Sequence, residues 1–266
     1  MSMRQKFQMI GSAMELFGLN FDKTVRSIQA VPAYFNDLKI LNRQQANAQR
    51  RFALGKPFPC FEDKRAESGT ARGHYFHQDL LVAHRIFLNR PKIHVDVGSR
   101  IDGFVAHVAS FRSIRVIDIR KLTVKVPNIV FIQADLMSEL ETGLTECCDS
   151  LSCLHALEHF GLGRYGDPIQ YDGYLVGLRN LHGLLAKHGT LYFSVPIGPQ
   201  RIEFNAHRVF SVEYLLELFK DKFRISRFSF VDDNGDLHDN VMLSIDDISQ
   251  NFGCSFGCGI FEMTRL

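Results

Sequence analysis

The sequence predicts an α/β fold: a Rossmann-like, seven-stranded, mostly parallel sheet with helices on both faces, preceded by an N-terminal helical extension. Three observations carry this. Residues 92–103 pass from a short apolar run through Asp96-Val97-Gly98 and a loop into the amphipathic segment 104–111, which is the order strand, glycine turn, helix. The next apolar run, 114–117, ends at Asp118, twenty residues beyond Gly98. An acid there can accept hydrogen bonds from both hydroxyls of a bound ribose. Beyond it, strand-like and helix-like segments alternate as far as residue 231, the pattern of a parallel sheet with helical crossovers.

Residues 1–70 differ from the rest of the chain. Segments 13–17, 25–41 and 44–52 have helical patterning, with Pro32 interrupting the second, and 55–59 and 62–69 have the composition of linkers. This extension is expected to act as a helical cap or as the arm of a homodimer, leaving 71–266 as one α/β domain. Within 75–89, Phe76, Leu80, Ala83 and Phe87 recur at helical spacing, and Pro91 marks the stop before strand one. Strand three is expected at Ile129–Gln133, followed by Ala134-Asp135-Leu136, and strand four at 149–153. A helix then carries Tyr174, Leu178, Leu181 and Leu185 on one face and ends at Lys187-His188-Gly189, a basic last turn before a glycine cap. Strand five, 190–195, stops at Pro196. A helix over 211–220 and two closing strands, Phe223–Val231 and 259–263, complete the order.

Composition narrows the partners. At 266 residues and 45% hydrophobic, the chain has the material for one large core. A net charge of +2 gives no electrostatic case for nucleic acid. No apolar window is long enough for a membrane span, and Gln8, Ser12 and Glu15 interrupt the N-terminus as a signal peptide. The six cysteines follow no secreted-scaffold pattern, so free thiols in a reducing, cytoplasmic setting are expected. No metal is expected either. Cys254-x-x-x-Cys258 lacks a second Cys/His pair, and the group His74, His77, Asp79 falls at the start of a helix. Asp232-x-Asn234-x-Asp236 begins like a calcium loop, but Leu237 and Leu243 occupy the positions that need glycine and glutamate; Asp233-Asn234-Gly235 is read as a turn.

The glycine loop discriminates between cofactors. It runs Gly98-x-Arg100-x-x-Gly103, with arginine where a dinucleotide fingerprint has its middle glycine. That glycine lets bare backbone touch a pyrophosphate, and an arginine stem obstructs the approach. S-adenosylmethionine has no pyrophosphate. It needs a backbone turn and polar groups for its ammonium and carboxylate, for which Asp96 and Arg100 have suitable charges. The methyl donor is therefore preferred to NAD.

These motifs, with Ala134-Asp135-Leu136, the segment Leu154-His155-Ala156-Leu157-Glu158-His159 and residues 184–196, resemble those of class I S-adenosylmethionine-dependent methyltransferases. More closely, Gly73-His74-Tyr75-Phe76-His77-Gln78-Asp79-Leu80, 94–107, 161–168 and Phe204-Asn205-Ala206-His207-Arg208 resemble an uncharacterised branch, a domain-of-unknown-function family associated with surface-polysaccharide synthesis. The resemblance implies that Gly98 lies beneath the methionine portion and that Asp96 steers the ammonium directly or through water. It implies that Asp118 holds the ribose, that Asp135 accepts from the adenine amino group and that Leu136 packs on the ring. His155, on the cofactor side, and Glu158 and His159, among the catalytic candidates, follow strand four at the ligand-binding edge. The His74 group would lid the cofactor pocket. Arg100, where the superfamily usually has glycine, is the departure.

Methyl transfer asks the protein mainly for alignment, and a hydroxyl acceptor adds the need for a general base. His159 and His207 are the candidates, each in a polar strand-end loop. Arg164, Asp167 and Arg208 could bind sugar hydroxyls or an acidic group, or shape loops through salt bridges. The expected function is O-methylation of a saccharide or glycan precursor. The alternatives are a non-catalytic S-adenosylmethionine-binding or scaffolding domain in polysaccharide assembly and an NAD-dependent sugar reductase.

Overall fold

The computed structural model describes Met14, Phe17, Gly18 and residues 20–49, 52–61, 63–140 and 143–266. The chain divides into two compact units, residues 1–70 and 71–266. The expected helix at 13–17 falls largely outside the described residues. In the first unit, α1 (Phe21–Ala46) starts where the Asn20 side chain accepts the Lys23 N–H at 2.8 Å, an N-cap that satisfies one of the helix's orphan donors. The helix runs straight through Pro32. Proline's missing N–H leaves the Ile28 carbonyl without its helical donor, a local loss that the continuous turns on either side outweigh. The separate helix expected at 44–52 does not form. Ala46 is the last helical residue, and Asn47 closes the turn onto Gln44 and Gln45.

The second unit holds the sheet. Its strands are β1 (His94–Val97), β2 (Ile114–Asp118), β3 (Ile129–Gln133), β4 (Cys148–Leu154), β5 (Leu185–Ile197), the hairpin β6 (Arg201–Glu203) and β7 (His207–Val209), then β8 (Phe223–Val231), β9 (Leu237–His238) and β10 (Gly257–Arg265). The main sheet has eight strands, not seven, in the order β3-β2-β1-β4-β5-β10-β8-β9. The first five are parallel, and β10, β8 and β9 add antiparallel. The eighth strand, β9, is only two residues long, too short to show any alternation. It exists because the Asp232 carboxylate accepts the N–H groups of Asn234 and Asp236 and turns the chain back on β8.

The helices are α2 (His74–Asn89), α3 (Ala106–Ala109), α4 (Gly173–Leu184), α5 (Val212–Phe219) and α6 (Ile245–Ser249). Strand residues alternate between two apolar layers: Cys153 and Phe193 face Leu178, Leu181 and Phe219, while Leu154 and Tyr192 face Val82, Ile86 and Phe104. Helices therefore cover both faces, as the alternating pattern requires. The helix expected over 104–111 is divided: Phe104 and Val105 close a π-helical stretch, Ile101–Val105, that holds Gly103 in a non-helical conformation (φ −118, ψ −117), and α3 itself spans only Ala106–Ala109. Helix α4 also ends early. Leu185 is fully buried and pairs with Cys148, which draws the chain into β5, and His188 takes a left-handed turn (φ 64) where a glycine cap was expected. Pro196 does not stop β5. It lies past the last pairing with β4, at Leu154↔Ser194, and its carbonyl accepts from Phe210, so its missing donor is not called on. Among the described residues, no helix is long and apolar enough to cross a membrane. All six cysteines are unpaired, as expected.

One ion cluster ties α2 to the antiparallel half of the sheet. The buried Arg85 guanidinium lies 2.7 Å from Asp239 and 3.5 Å from Glu262, which is itself 9% exposed. Arg85→Leu is expected to destabilise the protein by about 3–5 kcal/mol, because the buried Glu262 carboxylate loses its nearer counter-charge and keeps only the half-exposed Arg227 at 4.0 Å. Arg85→Leu with Glu262→Leu is expected to recover most of that loss, since the pair is replaced by apolar packing. Urea unfolding of the single and double variants checks both; a single variant as stable as the parent would mean that the cluster adds nothing to stability.

Candidate functional site

The strand order reverses between β1 and β4, and in open α/β sheets ligands sit outside the carboxyl ends of strands at such a reversal. There β1 ends in Gly98, whose φ of +75° favours glycine. A Cβ added at Gly98 would come within 2.8 Å of the Ala156 Cβ, so the turn and the loop after β4 are in contact with nothing between them. The turn is held from below. Asp96 is fully buried, and its carboxylate accepts the Ser99 N–H at 3.1 Å, the Ser99 hydroxyl at 2.8 Å and the Ser152 hydroxyl at 2.5 Å. Burial pushes its pKa up to about 7 against the pull of those bonds. Asp96 thus anchors the loop and does not line a cavity. Any steering of a ligand passes through Ser99 and the backbone, because the carboxylate oxygens are already occupied.

A cavity opens above this edge, lined by Gly98, Asp118, Arg120, Asp135, Leu136, His155, His159, Phe160, Tyr165 and Asp167, among others. Seven of the expected site residues, Gly98, Asp118, Asp135, Leu136, His155, His159 and Asp167, meet there. The Asp118 side chain is 9% exposed and is gripped by Arg120, whose backbone N–H, Nε and Nη2 donate at 2.8, 3.0 and 2.6 Å. The Arg120 guanidinium also lies 4.5 Å from the centre of the Tyr165 ring. Neither Arg120 nor Tyr165 was singled out from the sequence; a cation two residues after the strand-end acid was the available signal. Asp135 turns the chain after β3 by accepting the Met137 N–H at 2.8 Å, and its half-buried carboxylate faces the same cavity.

A second hollow adjoins the first and shares Gly98, Arg120, His155 and Tyr165. Tyr75, Gln78 and Asp79 at the start of α2 also line it, with Arg100 and Asp102. Arg100 is exposed and makes a side-on pair with Asp102 at 3.0 and 2.7 Å, so it borders this hollow and not the first. Gln78 accepts the Ser194 hydroxyl and donates to Asp79, whose carboxyl pKa is raised by burial. These α2 residues fall within the motif expected to lid the pocket.

After β4 the chain turns at His155 in a left-handed conformation (φ 48), its N–H bonded to the Ser194 carbonyl at 3.0 Å. That conformation is costly outside glycine, so the neighbouring structure must impose it. Glu158 is fully buried, accepts from His155 Nδ1 at 2.7 Å and lies 3.6 Å from His159 Nε2. It supports both histidines and reaches neither cavity. Burial opposes charge on His155, yet Cys258 and Glu158 hold its pKa well above the usual histidine value. His159 behaves oppositely: burial lowers its pKa despite Glu158. Its Nδ1 donates to the Ala206 carbonyl at 2.6 Å, so the neutral ring carries its lone pair on Nε2.

The remaining candidates are mostly structural. His207 sits in the β6–β7 hairpin, 3.2 Å from Glu203, with its ring against Phe256, and lines neither cavity. Buried Arg208 donates to the carbonyls of Glu158, Phe160 and Tyr171 at 3.3, 2.6 and 2.8 Å, with Tyr174 over its guanidinium, and has no free face for an acceptor. Asp167 borders the first cavity while accepting the N–H groups of Gly161 and Gly163. Arg164 donates to Ala206 beside His159.

Comparison with solved structures sets this geometry among known folds. The [4+2]-cyclase SpnF is similar over 71% of this chain and 80% of its own, at 14% identity and a TM-score of 0.50. The 1,6-didemethyltoxoflavin-N1-methyltransferase of Burkholderia thailandensis, crystallised with S-adenosylhomocysteine, is 18% identical over 73% of this chain and 78% of its own, with a TM-score of 0.49. The N-methyltransferase NodS of Bradyrhizobium japonicum, also with S-adenosylhomocysteine, is 12% identical over 73% and 88%, with a TM-score of 0.44. At such identities the likeness to SpnF establishes the Rossmann-like fold alone. No curated protein matches the chain. The family model described as Caenorhabditis protein of unknown function, DUF268, matches residues 109–243, half of the chain, and the protein belongs to that family.

Proposed function

We propose that this protein is an S-adenosylmethionine-dependent methyltransferase whose acceptor is a hydroxyl of a saccharide or glycan precursor. The observation that carries the reading is the convergence of Gly98, Asp118 and Asp135 from the ends of β1, β2 and β3, with His159 from beyond β4, on one cavity. The donor set fits the cofactor. A bare glycine turn suits the methionine portion, the strand-end acid suits a ribose diol, and Asp135 with Leu136 suits an adenine edge and face. Asp118 is engaged by Arg120, but that arginine is about half exposed, and exposed pairs are weak enough to yield to a ligand.

When bound, the cofactor supplies an activated methyl group. The protein's share is orientation, exclusion of water by Phe160 and Tyr165, and proton removal at His159 Nε2. Its Nδ1 bond to Ala206 fixes the tautomer, and burial keeps the ring neutral near pH 7. The saccharide part of the reading rests on the sequence resemblance. His207 and Arg208 drop out as base and acceptor ligand.

Three measurements test it. S-adenosylmethionine or S-adenosylhomocysteine at a hundredfold excess over its dissociation constant is expected to stabilise the fold by about 2.7 kcal/mol, read by thermal unfolding. Stabilisation by NAD and by neither of these would transfer the site to the reductase reading.

Asp118→Ala is expected to weaken S-adenosylhomocysteine binding by about 1.5–3 kcal/mol, the loss of charge-assisted bonds to two hydroxyls. Arg120→Ala is expected to change it by less than about 1 kcal/mol, because it removes only a half-exposed pair. Calorimetry that reversed the two would make Arg120 the ligand-holding residue.

His159→Ala is expected to lower turnover on a saccharide acceptor by about 10²–10⁴, with cofactor affinity nearly unchanged. The base acts when unprotonated and burial lowers its pKa. Activity should therefore rise with pH through an apparent value below the ordinary histidine figure of about 6.5, and this limb should vanish in the variant. A pH profile unaltered by the substitution would leave transfer to alignment alone.

A further inference from the structure

Three metal-ligating side chains meet at the rear of this edge, and methyl transfer by the residues of the first cavity uses none of them as a ligand. His74 opens α2, His155 follows β4 and Cys258 lies near the start of β10, yet one donor atom of each lies within 4.8 Å of the other two. Spacing along the chain shows little of this. Cys258 is half of a pattern without a second pair, and His74 belongs to a cluster along one helix. The fold takes one member from each and adds His155.

The donors are already oriented. His155 Nδ1 is taken by Glu158, which leaves Nε2 to face the cluster. That Nε2 is buried and has no hydrogen-bond partner, in a residue only 8% exposed. His74 is bonded to the backbone of Phe256, and its ring stacks within 13° of His155 at a centroid distance of 5.1 Å. Cys258 is fully buried, and beyond the His155 imidazole its Sγ has only long contacts, 3.8 Å to Gln78 Oε1 and 3.9 Å to the Gly259 carbonyl. A histidine whose far nitrogen bonds a carboxylate is the usual support of a metal-ligating ring.

We propose that His74, His155 and Cys258 form a metal site of the two-histidine, one-thiolate type, suited to Zn²⁺. Imidazole and thiolate are borderline-to-soft donors, which excludes magnesium and calcium as preferred occupants. Tetrahedral zinc, with bonds of about 2.0–2.1 Å to nitrogen and 2.3 Å to sulfur, sets its ligand atoms about 3.3–3.6 Å apart. The donors must close by about 1 Å, a rotamer-scale movement. Three protein ligands leave a fourth position, as in catalytic zinc sites. Because His155 lines both cavities, an ion there borders the space open to an acceptor beside His159 and suits an oxygen or sulfur acceptor that gains from a nearby cation. On binding, the Cys258 S–H proton and the proton that His155 holds on Nε2 are both released to solvent, so that the sulfur bonds the metal as thiolate and Nε2 through its freed lone pair. The site shares His155 with the cofactor cavity but needs no cofactor in order to form, so metal binding and S-adenosylmethionine binding are tested separately.

The experiment is a titration of the full chain, stripped of metal under reducing conditions, first with Co²⁺ and then with Zn²⁺, without cofactor. The expected result is one Co²⁺ per chain, with a thiolate-to-cobalt charge-transfer band and the visible absorption of a four-coordinate ion, both bleached by one equivalent of Zn²⁺. Cys258→Ser should abolish the charge-transfer band, and Cys60→Ser, an exposed thiol of the first unit, should retain it. Glu158→Gln should keep the band but weaken binding by about 10–100-fold. Half-buried His74→Ala, at the helix start and expected to fold if Cys258→Ser does not, should lose stoichiometric binding. Absence of the band in the parent chain, or its survival in folded Cys258→Ser or at full affinity in His74→Ala, overturns the site and leaves His155 and Cys258 as a buried thiol–imidazole contact.

Discussion

A single buried carboxylate organises the working edge of this protein. Asp96 cannot be hydrated where it lies, so it must be satisfied by the chain itself, and Ser99 and Ser152 are the groups that satisfy it. Ser99 belongs to the loop after β1 and Ser152 to β4, so the bonds that solvate one charge also fix the glycine turn against the neighbouring strand. His94 extends the arrangement: its ring, buried and held neutral, contacts Ser150 and Ser152 on β4 at 2.8 and 3.2 Å. The result is a polar seam between the two strands where the sheet reverses direction. The cavity above can be open because its floor is rigid.

The second organising feature is the loop after β4. His155 is held in a left-handed turn, Glu158 sits in the interior between two imidazoles, and Arg208 closes the far side by bonding three carbonyls. None of these groups is cheap to bury. Together they place His155 and His159 at different electrostatic levels four residues apart, one favouring its proton and the other releasing it. Groups pushed apart in this way are typical of sites that perform chemistry.

Much of the fold was legible. The core strands and the helices packed on them follow from apolar periodicity because burial on one or both faces dictates it, and Asp118 and Asp135 were found at strand ends for that reason. What escaped was set by tertiary context. Two-residue β9 has no period, and the end of α4 depends on Leu185 pairing with Cys148. Pro32 is tolerated because the helical turns on either side outweigh one lost bond, and Pro196 because its missing N–H is not called on. At the site, residue type was a good guide to position and a poor one to partner. Arg208 and Asp96 are where the motifs imply, but their hydrogen-bonding capacity is consumed by the chain. Arg120 and Cys258 carried only partial signals, a cation two residues past an acid and half of a cysteine pair, because their partners lie across a turn in one case and in remote segments in the other.

The position of β10 has a consequence for how the molecule is made. It lies between β5 and β8 and pairs with both, although it is the last strand of the sheet in sequence. Until a ribosome has added residues 257–265, the parallel half ends in an unpaired β5 edge, and the β8–β9 hairpin has nothing to dock on. Phe193, Phe219 and Phe228, which later surround Phe261, stay uncovered during that interval. Unpaired edges of this kind recruit other chains. The vulnerable period of this protein's synthesis is therefore the interval between the emergence of β8 and that of β10, and chaperone dependence should concentrate there.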